Sequence, residues 1–355
     1  MQLEQLGQQL FFDTRFSLNK TQSCATCHDP SMGFSDHRGS PEPSDTSLGD
    51  DGQSFGTRNT PTASYARFSP PFHLTKDGKY VGGQFLDGRS ATLADQAIKP
   101  PFNPLEMNLP DNREMFNRIR ENPSYIDAFE TLFNKDVLED PDAAVKAFGQ
   151  AIASFEETDY FSPFDSKYDR YLKGEYQLSE QEDLGMTLFF SDQFTNCATC
   201  HQLQPIPGST NETFSNYEFH NIGTPANSRL AVKFEGQSME ADVGLLSRPD
   251  IIDENQAGKF KVPTLRNVAV TGPYMHNGVF KDLRTVILFY NKYNSRNKQR
   301  QINPETGQHW ANPELNSNLS RKELESGPAL DDKRIDALVA FLKTLTDKRF
   351  EHLVQ

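Results

Sequence analysis

Cys24-Ala25-Thr26-Cys27-His28 is the stretch whose reading decides the fold, and it occurs twice: Cys197-Ala198-Thr199-Cys200-His201 repeats it letter for letter. The chain has four cysteines, so none stands outside the two copies. Two thiols separated by two residues reach the two vinyl groups of one porphyrin and form thioethers, and the histidine that follows is delivered to the iron as its proximal ligand. A zinc site or a thioredoxin-like dithiol competes for the same letters. Zinc wants four ligands gathered per site, yet His37, His73, His220, His276, His309 and His352 show no paired metal-site spacing. A redox dithiol has no use for an adjacent histidine. Two covalent haem c groups are therefore expected.

A second repeat frames the first. Leu6-Gly7-Gln8-Gln9-Leu10-Phe11-Phe12 precedes one haem motif, and Leu184-Gly185-Met186-Thr187-Leu188-Phe189-Phe190 precedes the other. Both read as short amphipathic helices. Each half closes on another helical stripe, Val145, Phe148, Ile152 and Phe155 in one, Ile335, Leu338, Leu342 and Leu345 in the other, with Asp142 and Asp332 expected as N-terminal caps. The fold class that follows is mainly α: two cytochrome c-like domains with long loops, over residues 1–160 and 161–355. Residues 36–56, rich in Gly, Pro, Ser and Asp, are expected to form a mobile loop. The aromatics of residues 156–182 are expected to pack as an interdomain connection. The polar stretch 294–325, with the single tryptophan Trp310, reads as a surface insertion.

Composition narrows the function. Hydrophobic residues make up 35%, a low share that two macrocycles would supplement in the core. A net charge of −13 argues against nucleic acid or an anionic membrane as partner and suits a basic protein partner. No apolar run is long enough to span a bilayer. Haem c is attached outside the cytoplasm, so a periplasmic or otherwise exported protein is expected. Met1-Gln2-Leu3-Glu4 is not a signal peptide, and an export signal is expected to have been removed ahead of it.

Further segments, in order, resemble the bacterial di-haem cytochrome c peroxidase and MauG family over nearly the whole chain: Gly56-Thr57-Arg58-Asn59-Thr60-Pro61-Thr62, Asp87-Gly88-Arg89, Asn103-Pro104-Leu105-Glu106-Met107 and Pro273-Tyr274-Met275-His276-Asn277-Gly278. The resemblance implies that hydrogen peroxide reacts at the first haem and that the second stores and passes oxidising equivalents. Peroxidases of the family that need reductive activation carry a loop histidine eight residues before the asparagine of Arg-Asn. Here that position is Asp51, and no histidine lies between His37 and His73, so the first iron is expected to be five-coordinate unless one of those two reaches in. The distal ligand of the second iron is methionine in the peroxidases and tyrosine in MauG, fourteen residues beyond the signature histidine. From His276 that count reaches Tyr290, with Met275 and then Tyr293 as alternatives. A phenolate is a hard anionic donor that favours high-valent iron.

The position before Asp-Gly-Arg, usually a tryptophan between the haems, is Leu86, which cannot be oxidised. Electrons then tunnel directly, or Phe85 shapes the path passively. Glu106 matches the family's acid–base residue, able to take a proton from one peroxide oxygen and return it to the other, and Gln96 a pocket residue that orients peroxide. The resemblance also implies one calcium ion between the domains, held by the Asn59 side chain and the carbonyls of Thr271 and Pro273. Homodimers occur in the family, and His220 and His276 are expected to bond propionates or backbone rather than iron. The leading expectation is a MauG-like oxidation of a partner protein. A cytochrome c peroxidase drawing on a small cytochrome and a non-enzymatic electron carrier are the alternatives.

Overall fold

Leu6, Leu10 and Phe11 recur at helical spacing, and Leu3–Phe12 forms helix α1 with those side chains buried. A computed structural model describes residues 1–38, 45–202, 212–233 and 240–354. The helices that follow in the first half are α2 (Cys24–Cys27), α3 (Leu93–Ala97), α4 (Asn112–Arg120), α5 (Pro123–Leu132) and α6 (Pro141–Glu156). The second half contributes α7 (Lys167–Leu172), α8 (Glu180–Phe189), α9 (Cys197–Cys200), α10 (Ser228–Lys233), α11 (Leu283–Asn291), α12 (Arg321–Leu324) and α13 (Asp332–Lys343). Paired strands among the described residues are three antiparallel pairs of two-residue segments: β1 (His73–Leu74) with β2 (Tyr80–Val81), β3 (Phe219–His220) with β4 (Phe260–Lys261), and β5 (Ile302–Asn303) with β6 (Gln308–His309).

The chain forms two compact units, Met1–Arg67 with Ser90–Ser162, and Phe68–Arg89 with Pro163–Gln355. Residues 1–160 are therefore not one uninterrupted domain, because Phe68–Arg89 packs with the second unit. Backbone bonds explain the exchange: Gly82 N–H donates to the Tyr217 carbonyl, Lys261 N–H to that of Leu86, and Val81 bridges Glu218. The Lys261 ammonium adds bonds to Ser69 Oγ at 3.1 Å and to the Gly83 carbonyl. Burial pulls its pKa down to about 7.

Within each unit the opening helix crosses the closing helix at a glycine. A Cβ on Gly7 of α1 would sit 1.9 Å from the Ala151 carbonyl oxygen of α6 and 2.9 Å from Phe155 Cβ. A Cβ on Gly185 of α8 would sit 1.9 Å from the Ala337 oxygen of α13 and 2.8 Å from Phe341 Cβ. Only glycine lets backbones approach so closely. Around the second crossing, Leu188, Phe189, Phe214, Leu338, Phe341 and Leu342 form a continuous buried cluster.

Two expectations about helix starts are corrected. The N-cap of α6 is Asp140, whose carboxylate accepts from Asp142 N–H, and that of α13 is Asp331, which accepts from Arg334 N–H; Asp142 and Asp332 lie in the first turns. In α6 the reason is Pro141, which fills the first helical position and pushes the cap one residue back. Residues 294–325 are also more than a surface insertion. Trp310 donates to the Arg300 carbonyl at 2.9 Å and packs edge-on against Phe280 and Phe289, while Asn221 binds the carbonyls of Leu315 and Ser317.

Gly185→Val forces α8 away from α13 and should cost at least about 1–3 kcal/mol by overpacking. The expected result is a lower thermal midpoint of the haem-loaded protein, with Gly7→Val giving a matching loss in the first unit.

Candidate active site

Each haem motif is one turn of helix that ends on its histidine. Ser23 caps α2 reciprocally with Thr26, and His28 N–H donates to the Cys24 carbonyl at 2.9 Å. In the second unit His201 N–H donates to the Cys197 carbonyl, also at 2.9 Å. The turn presents Cys24, Cys27 and His28 together, and likewise Cys197, Cys200 and His201, with no disulfide among them. The imidazoles are oriented by backbone: His28 Nδ1 lies 3.2 Å from the Phe34 carbonyl oxygen, and His201 Nδ1 lies 2.8 Å from that of Phe214. That contact uses Nδ1 as donor and leaves Nε2 as the nitrogen able to accept a metal.

Electrostatics fit haem and disfavour the competing readings. Burial keeps both imidazoles neutral, with His28 below the usual histidine range and His201 pulled down to about 4. The same burial pushes the Cys27 thiol up to about 12, Cys197 up to about 11 and Cys24 further still. A zinc site or redox dithiol needs readily formed thiolates, whereas a thioether carries no charge and suits an apolar wall. Among the described residues no cluster of three or more His, Cys, Asp or Glu side chains could hold a metal ion.

On the far side of the first motif, Glu106 sits in the Asn103–Met107 turn. Asn103 Nδ2 donates to Glu106 Oε1 at 2.9 Å while Asn103 Oδ1 accepts from Leu105 N–H at 3.0 Å, so one side chain fixes both carboxylate and backbone. The Glu106 carboxylate is close enough to the Cys27 sulfur to raise its pKa. Gln96 is half-buried on α3, and turns through Lys99, Phe102 and Asn103 connect it to Glu106 without a break.

The described part of the 36–56 loop is pinned rather than mobile. Asp50 N–H donates to the Glu106 carbonyl at 2.7 Å, and Gly49 packs against the Leu105 carbonyl. The Asp50 carboxylate accepts from Asn19 N–H at 2.6 Å and Thr21 Oγ1 at 2.5 Å. Burial opposes its ionisation, but bonds from Ser17, Thr21 and Asn19 outweigh it and hold the carboxyl below the usual range. Residues 39–44 of the loop lie outside the described residues. Asp51 is exposed and caps its own turn, accepting from Gln53 and Ser54 N–H. His37 Nδ1 contacts Ser35 Oγ at 3.3 Å, and His73 is exposed in the second unit with Nδ1 on the Pro71 carbonyl.

In the second unit Tyr290 lies on α11, and its hydroxyl makes no hydrogen bond among the described residues. Burial raises its pKa, reinforced by the sulfurs of Cys200 and Cys197, which puts the phenol within electrostatic range of the second haem motif. Tyr293 donates its hydroxyl to the Ile222 carbonyl at 2.9 Å and is thereby occupied. Met275 is half-buried at φ 73° in the signature turn. His276 stacks on Phe260 at 3.8 Å and bonds Glu314 through Nε2 at 3.1 Å. His220 contacts Ser320 Oγ at 3.2 Å through Nδ1.

A family model described as di-haem cytochrome c peroxidase matches residues 1–177. The methylamine utilization protein MauG of Paracoccus denitrificans is 53% identical over 353 residues, 99% of this chain and 90% of that protein. The chain belongs to the di-haem cytochrome c peroxidase/MauG family. The cytochrome c551 peroxidase of Nitrosomonas europaea is 31% identical over 278 residues, 78% of this chain and 69% of that one. The crystal structure of the diheme peroxidase BthA from Burkholderia thailandensis matches with a TM-score of 0.83 at 30% identity, covering 99% of this chain and 88% of that chain. This member is accordingly a MauG-like, peroxidase-type oxidoreductase with two haem c groups.

Several partners in this di-haem site carry no family motif. Arg38 Nη2 donates to Cys27 Sγ at 3.2 Å and to Asp36 Oδ2 at 2.6 Å, so a cation lies beside the first attachment point. Arg266 is buried and binds Asp169 through Nη1 at 2.6 Å and Nη2 at 3.0 Å, with its guanidinium carbon 5.2 Å from the Phe214 ring centroid. Leu86 hands its carbonyl to Lys261, and neighbouring Phe85 lies under Arg89 at 3.5 Å. A repeat of Pro-Thr, at Pro61-Thr62 and Pro263-Thr264, is the sequence signal that would have located the two backbone supports.

Asp50→Asn should loosen the loop that carries Glu106, costing about 1–3 kcal/mol for the buried donors left poorly paired. Because the folded carboxyl titrates below its unfolded value of roughly 3.9, its contribution is present above that pH and lost as pH falls through the folded value. Acid unfolding followed by haem absorbance should therefore show the variant's deficit at neutral pH shrinking towards pH 3.

Proposed function

We propose that hydrogen peroxide reacts at the haem attached through Cys24, Cys27 and His28, and that the oxidising equivalents reach a partner protein by long-range transfer through the haem held by His201 and Tyr290. The observation that carries this reading is the contrast between the halves. A carboxylate oriented by Asn103 stands near the first attachment turn, whereas a half-buried phenol with no hydrogen bond among the described residues stands near the second. The haems supply the redox chemistry when bound, accepting oxidising equivalents from peroxide.

The chain supplies the proton handling. Glu106 takes the proton from the peroxide oxygen nearer the metal and delivers it to the farther oxygen, which leaves as water. Asn103 Nδ2 donates to Glu106 Oε1 at 2.9 Å, which orients the carboxylate for this task. Gln96 hydrogen-bonds the peroxide and selects its orientation. Tyr290 gives the second iron an anionic oxygen donor, which supports retention of an oxidising equivalent there. Calcium at the Asn59 side chain and the carbonyls of Thr271 and Pro273 belongs to the same reading. Asn59 Nδ2 donates to the Asp45 carbonyl at 3.0 Å, so its Oδ1 is the atom that would serve as ligand. We also place the mature protein in the periplasm, where haem c is attached, consistent with the absence of any described helix long and apolar enough to cross a membrane.

The relatives named as cytochrome c peroxidases and the net charge of −13 favour one second reading, in which a small basic cytochrome donates electrons for peroxide removal. Steady turnover with reduced cytochrome c would select it.

Glu106→Gln should slow the peroxide reaction about 10²–10⁴-fold in stopped-flow absorbance, the usual range for a lost acid–base group. The ferric spin state before peroxide should not change. Tyr290→Phe should convert the second haem from low-spin to high-spin in the ferric electron paramagnetic resonance spectrum. A ferric protein that is wholly low-spin, with a methionine charge-transfer band, would refute the open first site and the tyrosine ligand together.

A further inference from the structure

The two attachment turns rest on the same backbone device. In the first unit Thr62 Oγ1 donates to the Gly33 carbonyl at 2.6 Å and accepts from Ser64 N–H at 3.0 Å. In the second, Thr264 Oγ1 donates to the Thr213 carbonyl at 2.7 Å and accepts from Arg266 N–H at 3.1 Å. Each threonine follows a proline, and each clamps the residue just before a phenylalanine held in the left-handed region, Phe34 at φ 55° and Phe214 at φ 55°. The carbonyl of that phenylalanine is the acceptor for the proximal imidazole.

The copies differ at the next amide. Ala63 N–H donates to the Phe34 carbonyl oxygen at 3.1 Å, the oxygen that His28 Nδ1 approaches at 3.2 Å. Leu265 N–H goes one residue earlier, to the Thr213 carbonyl at 3.3 Å. Among the described residues the Phe214 oxygen is left to His201 alone, at 2.8 Å. A shared acceptor at a longer distance makes the weaker bond. A strong bond from Nδ1–H gives the imidazole anionic character, makes it a better donor to the metal and stabilises oxidised iron.

We propose that the Ala63 amide is a positioning group for the first haem. By sharing the Phe34 carbonyl with His28 it keeps that imidazole a weaker donor than His201, and so biases oxidising equivalents towards the iron that His201 holds. The bias resides on the proximal side and adds to whatever the distal ligands contribute. It deepens the reading above, on which it rests, that the two haems share what peroxide supplies.

Ala63→Pro removes the competing N–H. In the haem-loaded protein, the iron–histidine stretching band of the ferrous first haem, read by resonance Raman, should move to higher frequency. Its midpoint potential should fall in a spectroelectrochemical titration while that of the second haem stays in place. Ala63→Gly keeps the N–H and should move neither quantity; shifts as large as those of the proline variant would assign the effect to packing and overturn the proposal. Thr62→Val is the milder substitution should the proline variant fail to load haem. It frees the segment that carries Ala63 and should give smaller shifts of the same sign. A band that stays put in whichever of these two loads haem overturns the proposal. An unaltered ferrous protein with no high-spin iron–histidine band would instead refute the open first site, and this inference with it.

Discussion

A single turn of helix ending on a histidine, with Nδ1 tied to the carbonyl of a left-handed phenylalanine, is the constraint to which the rest of each unit answers. Attachment through two thioethers fixes where a porphyrin lies, but only the second-shell bond fixes how the imidazole meets it. Phe34 and Phe214 can offer their carbonyls in the required direction because Thr62 and Thr264 clamp the residues ahead of them. The glycine crossings of α1 with α6 and α8 with α13 serve the same end, bringing opening and closing helices close enough to present each turn to an apolar interior. That interior lowers the pKa of both imidazoles and raises that of the Cys24, Cys27 and Cys197 thiols.

Duplication of this device leaves the differences between the halves to carry function. On the first side, Asn103 and Asp50 hold the turn that bears Glu106 from two directions, one through its carboxylate and the other through its backbone carbonyl. On the second side the corresponding position is an aromatic, Tyr290, half-buried within electrostatic range of Cys197 and Cys200, while the Tyr293 hydroxyl nearby is occupied by the Ile222 carbonyl. A proton carrier is useful where peroxide is cleaved, and an oxygen donor is useful where charge is stored. The loop from Asp45 to Gly56 braces the turn that bears Glu106 and contains no histidine.

Burial also explains partners that belong to no motif. Arg266 stays charged in the core because Asp169 receives it bidentately and the rings of Phe164 and Phe214 flank it. Lys261, with hydroxyl and carbonyl partners only, is held far less firmly in its charged form. The contrast follows from the cost of removing an ion from water without a counter-ion. Arg266 ties the Glu212 carbonyl to Asp169, and Lys261 ties Ser69 and Gly83 to the strand that carries it, so each holds loops of the second unit together.

The paired Cys-Ala-Thr-Cys-His motifs, the repeated Leu-Gly helices and the heptad-like closing stripes were enough to establish two haem c units of mainly helical build, because covalent attachment and helical periodicity are local properties of the chain. Glu106 and Tyr290 could be proposed only through ordered resemblance, since an isolated glutamate or tyrosine has no periodicity. What tertiary structure alone decided was non-local: that Phe68–Arg89 packs with the second unit, that Asp50 braces the Glu106 turn, and that His276 meets Glu314. It also decided which carbonyl each proximal histidine uses and whether another amide shares it. Such pairings depend on where two distant backbones cross, and hydrogen-bond geometry at the level of a few tenths of an ångström is set by packing that no linear pattern of residues encodes.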